Sequence, residues 1–324
     1  MGAITRRDFM KRTAAATAIT TAALTGVGKK SALANGPKGQ YASVVDMTKC
    51  DGCKGLDVPQ CVTSCRTKNQ HRYPEPIENI PEYWPQKKHE DWSKKRDLTN
   101  RLTPYNWIFV QNVQVKKDGK THELSIPRRC MHCDNPPCAK MCPFGVIEKT
   151  KEGAVSIDHN FCLGGAKCRD VCPWGIPQRQ AGVGIYLKVA PKLAGGGVMF
   201  KCDLCQDLIV KGEKPACVNS CPRDAMAFGL KDEMISYAND LAGRIGGYTY
   251  GDTENGGTST IYVSPVSFES IDDELKKQEA IPRMHNPENP LDSLNGMGKA
   301  MLLAPVAGVF AAGIASYKTM KGER

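Results

Sequence analysis

All fifteen cysteines of this 324-residue chain lie between Cys50 and Cys221, and their spacing limits the fold more than any other feature. They form four groups: Cys50-x2-Cys53-x7-Cys61-x3-Cys65, Cys130-x2-Cys133-x4-Cys138-x3-Cys142-Pro143, Cys162-x5-Cys168-x3-Cys172-Pro173 and Cys202-x2-Cys205-x11-Cys217-x3-Cys221-Pro222. An odd count leaves one thiol over in any disulfide framework. Disulfides also give no reason for three groups to end in C-x3-C-P. Zinc ribbons use C-x2-C pairs about 15–20 residues apart, often with histidine, and neither His132 nor His159 has ligand spacing. Covalent haem requires C-x-x-C-H, whereas Cys130-Met131-His132-Cys133 is followed by Asp134.

What remains is the ferredoxin run C-x2-C-x2-C-x3-C-P, with the gap before the third cysteine stretched. Cysteines at C-x2-C share a turn and reach adjacent irons of one cubane. A third wraps round another corner, and the fourth is expected to start a helix and ligate the neighbouring cluster. The proline after it suits a first helical turn, where no amide hydrogen is needed. The third group departs from this run. Within Cys162-Leu163-Gly164-Gly165-Ala166-Lys167-Cys168, Gly165 stands where the second cysteine belongs. Glycine cannot ligate, and a cubane short of one protein ligand readily loses that iron. The reading is therefore three 4Fe–4S clusters and one 3Fe–4S cluster, which together use all fifteen thiols. A fourth 4Fe–4S cluster with water or another residue on its last iron is the alternative.

The formal net charge of +10 overstates how basic the protein is. Arg6, Arg7, Lys11, Arg12, Lys29 and Lys30 against Asp8 belong to a leader, and removing it leaves about +5. Four clusters at roughly −2 each would bring the remainder to about −3. No stripe of Arg and Lys interleaved with aromatics appears, so nucleic-acid binding is not indicated. The leader, residues 1–34, carries the Arg6-Arg7 pair, an Ala/Thr-rich apolar run from Thr13 to Val27 and Ala32-Leu33-Ala34 before Asn35. That order reads as a twin-arginine export signal, a route that carries proteins already folded around their cofactors.

At the other end Ala300–Tyr317 is apolar and uncharged. At about 1.5 Å per residue it spans roughly 27 Å, enough for a hydrocarbon core. Lys318, Lys321 and Arg324 follow it while Lys299 alone lies just before, which orients an exported body with a cytoplasmic C-terminus. Gly308, Ala312 and Ser316 would offer a small-residue face to another helix.

Between the groups, Trp107–Val115 and Thr121–Ile126 alternate as a hairpin turning at Asp118-Gly119. Gly153–Asp158 and Thr258–Val263 read as strands, and Asp232–Arg244 as a helix ending at Gly246. Ala194–Gly197 lacks the Gly-Lys-Ser/Thr ending of a nucleotide loop. No nucleophile–base pair or open metal site is legible, so the chain is read as an electron carrier without a catalytic site of its own.

With its four ferredoxin-type groups over Tyr41–Gly229, the chain resembles the four-cluster iron–sulfur subunits of the dimethyl-sulfoxide-reductase, nitrate-reductase and formate-dehydrogenase superfamily. The leader, the Asn255–Ser264 and Phe268–Ile271 stretches and the apolar tail are similar to the HybA-type subunit of membrane-bound nickel–iron hydrogenases. The resemblance implies an α+β fold: two pseudo-symmetric ferredoxin-like dicluster domains with an intertwined chain, plus one C-terminal transmembrane helix. The first domain would take residues 41–65 and 202–229, and the second 130–201. An insertion with a hairpin would fill 66–129, a helix–strand extension 230–264, a polar linker 265–299 and the anchor 300–317.

The resemblance further implies one 4Fe–4S cluster on Cys50, Cys53, Cys61 and Cys221, and its neighbour on Cys202, Cys205, Cys217 and Cys65. A third would lie on Cys130, Cys133, Cys138 and Cys172, and the 3Fe–4S cluster on Cys162, Cys168 and Cys142. The long gap in the first group leaves Cys61 open as third ligand. The implied partners are a catalytic subunit, of hydrogenase or molybdopterin type, and an integral membrane quinone-reactive subunit. The expected place is the periplasmic face of the bacterial inner membrane. A non-redox assembly or scaffolding protein is the alternative of another class.

Overall fold

The strands around the cysteine groups are short, and a computed structural model of the chain, describing residues 39–82, 90–189 and 196–291, shows how they are assembled. The expected leader and the expected membrane anchor lie outside the described residues. Among the described residues no helix is long and apolar enough to cross a membrane.

Strand β1 (Tyr41–Asp46) is buried from Ala42 onward, as a strand covered on both faces should be. The hairpin follows as β2 (Phe109–Lys117) and β3 (Lys120–Arg128), with β2 alternating buried and exposed residues. Asp118 (φ 49°) and Gly119 (φ 74°) both adopt left-handed backbone, the mirror-type turn that suits the twist of a two-residue hairpin. Paired out to Phe109 opposite Arg128, the hairpin delivers the chain directly into Arg129 and Cys130. Two small antiparallel ribbons frame the middle groups: β4 (Ile147–Lys149) with β5 (Val155–Ile157), and β6 (Gln178–Gln180) with β7 (Val198–Phe200).

After Cys221 the chain returns as β8 (Met226–Leu230), antiparallel to β1 with Ser43 opposite Phe228. The helix Lys231–Ile245 ends on Gly246 in left-handed conformation, as expected for a C-terminal glycine. It covers one face of the sheet through Ala238, Leu241 and Ala242 against Val44, Ile261 and Val263. Strand β9 (Tyr248–Tyr250) and β10 (Thr260–Ser264) complete a four-stranded sheet ordered β8-β1-β10-β9, with β1 and β10 parallel.

The stretch 230–264 therefore does more than extend the fold. Thr260 Oγ1 donates to the Cys130 carbonyl at 3.1 Å, and the Ser259 amide to the Met131 carbonyl at 3.0 Å, bracing the second cysteine loop. All described residues belong to one contact unit.

The linker expected over 265–299 is corrected in its first part. Phe268–Lys277 is a helix, with Ser267 Oγ accepting the Ser270 amide at 3.3 Å as its N-cap. Phe268, Ile271, Asp272 and Leu275 are its buried positions, the i, i+3, i+4, i+7 stripe of an amphipathic helix. Its polar composition hid that stripe. Arg283 pairs with Asp272, whose carboxyl burial pushes up; Arg283 and the Met284 amide more than offset this and hold it below its ordinary value.

Candidate cluster sites

Each cysteine group repeats one local geometry. The residue two after the first cysteine is left-handed in all four: Gly52 (φ 68°), His132 (φ 53°), Gly164 (φ 65°) and Leu204 (φ 59°). This turn aims the next side chain back toward the first thiol, and that next residue is Cys53, Cys133 or Cys205 in three groups. In the third it is Gly165, at the position the spacing assigned to the missing thiol.

The third cysteine is always the second residue of a short helix. Cys61 lies in Gln60–Asn69, Cys138 in Pro137–Lys140, Cys168 in Lys167–Asp170 and Cys217 in Ala216–Asn219. Cys61, left open by the long gap, thus stands where the other third cysteines stand. Pro59, Pro136 and Pro215 cap three of these helices from the N-terminal side, a start signal present in the sequence that cysteine spacing does not reveal.

The expected helix starting at the fourth cysteine is corrected. In three groups the helix precedes it, and in the first Cys65 lies inside Gln60–Asn69, because C-x3-C is an i, i+4 spacing that sets both thiols on one helical face. Pro143, Pro173 and Pro222 then follow a helix end, where proline is common because it cannot extend the helix.

Long-range folding brings the groups together as three sets of four. Cys50, Cys53, Cys61 and Cys221 line one cavity with Pro59, Val110 and Met226. Cys65, Cys202, Cys205 and Cys217 line a second with Trp107, Ile108 and Arg129. Cys130, Cys133, Cys138 and Cys172 line a third with Val155, Trp174 and Lys201. Three cavities with four thiols each suit one kind of occupant. The remaining three thiols are neighbours: Cys142 acts on Cys162, and Cys162 on Cys168. At that site Gly164 packs so closely on Gly197 that a Cβ there would fall 2.6 Å from Gly197 backbone atoms.

The donor set fits iron–sulfur clusters. All fifteen thiols are free. Among the described residues no three His, Cys, Asp or Glu side chains converge on a point that one metal ion could hold. Thiols spread around a cavity match a multi-iron core, whereas zinc needs its four ligands about one centre at roughly 2.0–2.3 Å.

Electrostatics agree. Burial first, and neighbouring thiolates after it, push Cys205 and Cys168 up to about 12. Burial likewise raises Cys61, Cys65 and Cys133. Such thiols resist ionising alone, and a coordinated cation reverses that preference by deprotonating the thiol outright. Several sulfurs also accept hydrogen bonds: from the Met199 amide to Cys162 Sγ and the Leu204 amide to Cys202 Sγ at 3.4 Å each, and from Asn69 Nδ2 to Cys65 Sγ at 3.5 Å. Hydrogen bonds to ligand sulfur are one determinant of cluster potential.

The sites form a row through shared elements. The helix Gln60–Asn69 carries Cys61 of the first set and Cys65 of the second, Arg129 beside Cys130 of the third set lines the second cavity, and Pro137–Lys140 carries Cys138 of the third set just before Cys142 of the last.

Fold and sites together define a ferredoxin-type iron–sulfur protein that carries several clusters. Two 4Fe-4S dicluster domain families match the chain, one over residues 49–146 and the other over 121–231. The B subunit of the anaerobic dimethyl sulfoxide reductase of Escherichia coli K12 is 32% identical over 203 residues, which is 63% of this chain and 80% of the relative. The hydrogenase-2 operon protein HybA of Escherichia coli O157:H7 is 28% identical over 340 residues, 94% of this chain and 93% of the relative. The formate dehydrogenase-O iron-sulfur subunit of Escherichia coli K12 is 28% identical over 286 residues, 86% and 83% of the two proteins. This protein belongs to the iron–sulfur subunits of the dimethyl-sulfoxide-reductase superfamily, close to HybA.

Proposed function

We propose that this chain relays electrons between a catalytic subunit, a nickel–iron hydrogenase, and a quinone-reactive membrane subunit. It is exported by its twin-arginine leader and held at the periplasmic face by the apolar tail. The observation that carries the reading is the row of thiol sites running through one folded unit. Clusters in such sites supply one-electron transfer without bond-making chemistry. The protein's part is to hold the thiols at fixed separations, exclude water from them and set the local charge.

The HybA match along nearly the whole of both proteins supports the hydrogenase partner. Beside Cys142 and Cys162, Phe144 and Phe161 stand exposed at the rim of an apolar groove with Leu163, Ile185 and Val189. A surface of that kind suits a protein partner at the end of the row.

The geometry also supports three 4Fe–4S clusters and one 3Fe–4S cluster, since Gly165 occupies the second-thiol position. Electron paramagnetic resonance on the anaerobically purified protein tests this. A three-iron signal in the oxidised protein, lost on reduction, is expected, and Gly165→Cys should remove it while adding a fourth four-iron signal. Full iron loading with no three-iron signal would overturn the assignment. Protein almost free of iron and acid-labile sulfide would instead favour an assembly or scaffolding role.

The second reading is the same relay serving a molybdopterin enzyme, favoured by the 32% identity to the dimethyl sulfoxide reductase B subunit. Metal analysis of the co-purified complex separates the two: nickel for the first, molybdenum for the second.

A further inference from the structure

Two buried cations lie at the middle of the row, and they are arranged reciprocally. Arg129 immediately precedes Cys130 of the third thiol set, yet its guanidinium lines the cavity of the second set, with Nη1 4.0 Å from Cys202 Sγ. Lys201 immediately precedes Cys202 of the second set, yet it lines the cavity of the third. Each residue is held by the backbone of one site and places its charge at the other.

Neither cation is neutralised by a carboxylate. Arg129 is 1% exposed; its Nη2 donates to Ser43 Oγ, and its Nε has no partner. Lys201 is 4% exposed, and its ammonium donates to the Cys202 carbonyl at 3.0 Å and to the Val155 carbonyl. Asp203, which acts on Lys201 less than Cys130, Cys138 and Cys202 do, is already ion-paired with Arg72. A buried charge without an opposite charge is costly. Here the opposite charge is the thiolates themselves. Cys130, Cys138 and Cys202 all favour the charged lysine, as Cys217 and Cys202 favour the charged arginine, both against the opposing effect of burial.

One-electron reduction of a cluster held there would add one negative charge to its site, with no bond broken and no proton moved, the electron being given up by a cluster held at the neighbouring site. A fixed cation beside the site in a low-dielectric interior favours the added charge, and net charge around the sulfurs sets reduction potential.

We propose that Lys201 and Arg129 form a reciprocal pair of buried cations that raises the electron affinity of the two middle sites, keeping the crossing between the second and third thiol sets open to electrons. The inference rests on the relay reading, and iron and sulfide content of the unaltered protein tests that reading separately.

The experiment is a redox titration, followed by electron paramagnetic resonance, of the full-length protein purified anaerobically with its partners. Lys201→Met, Lys201→Arg, Arg129→Met and Arg129→Lys are compared at measured iron per protein. Each methionine variant should lower the midpoint of its middle site by at least about 59 mV, a tenfold loss of electron affinity for a one-electron couple. The charge-retaining variants and the first site, on Cys50, Cys53, Cys61 and Cys221, should stay close to the unaltered protein.

Unchanged midpoints in fully loaded methionine variants would overturn the proposal. If a methionine variant loses iron at its site, the charge-retaining partner decides. Iron and midpoint kept by that partner support the charge role, whereas equal iron loss in both makes the residue a packing element and overturns it.

Discussion

His159 has no metal partner in the sequence, and the fold gives it a different task. Its ring packs 4.5 Å from the Phe200 ring, with Trp107 at 6.1 Å. Burial, and then the Arg72 charge, lower its pKa to about 4 from an ordinary 6.5, with Asp203 opposing and Lys201 adding to the effect. A depressed histidine contributes stability that is fully present above its unfolded value. That stability is lost as pH falls from about 6.5 through about 4. Because the residue is only partly buried, the contribution expected is about 1–2 kcal/mol. His159→Phe keeps the aromatic packing and should flatten the stability profile between those limits, as measured by urea unfolding at stepped pH. An equally steep loss in the variant would assign the acid sensitivity to other groups. The cysteines are legible one by one because each spacing reports a local turn. A histidine between aromatics leaves no such mark, since its neighbours come from residues 107 and 200.

At the scale of elements, the helix Phe268–Lys277 carries the clearest expectation. Ile271 and Leu275 are fully buried, so Leu275→Ala should cost about 2–5 kcal/mol through lost contacts and the cavity left behind. Ser267→Ala removes the N-cap and should cost about 1 kcal/mol. Thermal unfolding compares the two, and limited proteolysis near 278–291 should quicken in the leucine variant first. No change in either readout would return this segment to the linker role that its polar composition suggests.

The hairpin and the helix Lys231–Ile245 are both readable from sequence, because alternation and a 3.6-residue period are local signals. The short helices under the third cysteines are not. Four residues hold too little periodicity, and only the prolines before them mark the start.

Taken as a whole molecule, the fold makes residues far apart in sequence answer as one site. Cys221 shares a cavity with Cys50, Cys53 and Cys61, while Cys65, although in the same group as those three, faces Cys202, Cys205 and Cys217. Cys50→Ser and Cys221→Ser should therefore perturb one and the same spectroscopic signal, and Cys65→Ser a different one shared with Cys202→Ser. Pairing by group, with Cys65→Ser matching Cys50→Ser, would refute the arrangement.

A second tie at this scale is polar. Trp174 Nε1 donates to Tyr250 Oη at 2.8 Å, and Tyr250 Oη donates to the His285 carbonyl at 2.7 Å. Tyr250→Phe would leave both partners unsatisfied in a buried setting, and denaturant unfolding should register a loss of about 1–3 kcal/mol.

The sequence alone pointed to several cysteine-held clusters, and to Gly165 standing where the other three groups carry a second thiol. Both follow from spacing, and spacing acts through turns of a few residues. It also raised the expectation of an export leader and a membrane-spanning tail, which rests on compositional signals. Tertiary structure alone decided which thiols meet, that the sites stand in a row, and that Arg129 and Lys201 each reach into the other's cavity. Those relations depend on loop closures of roughly a hundred residues, and no local preference of the sequence encodes where such a closure ends.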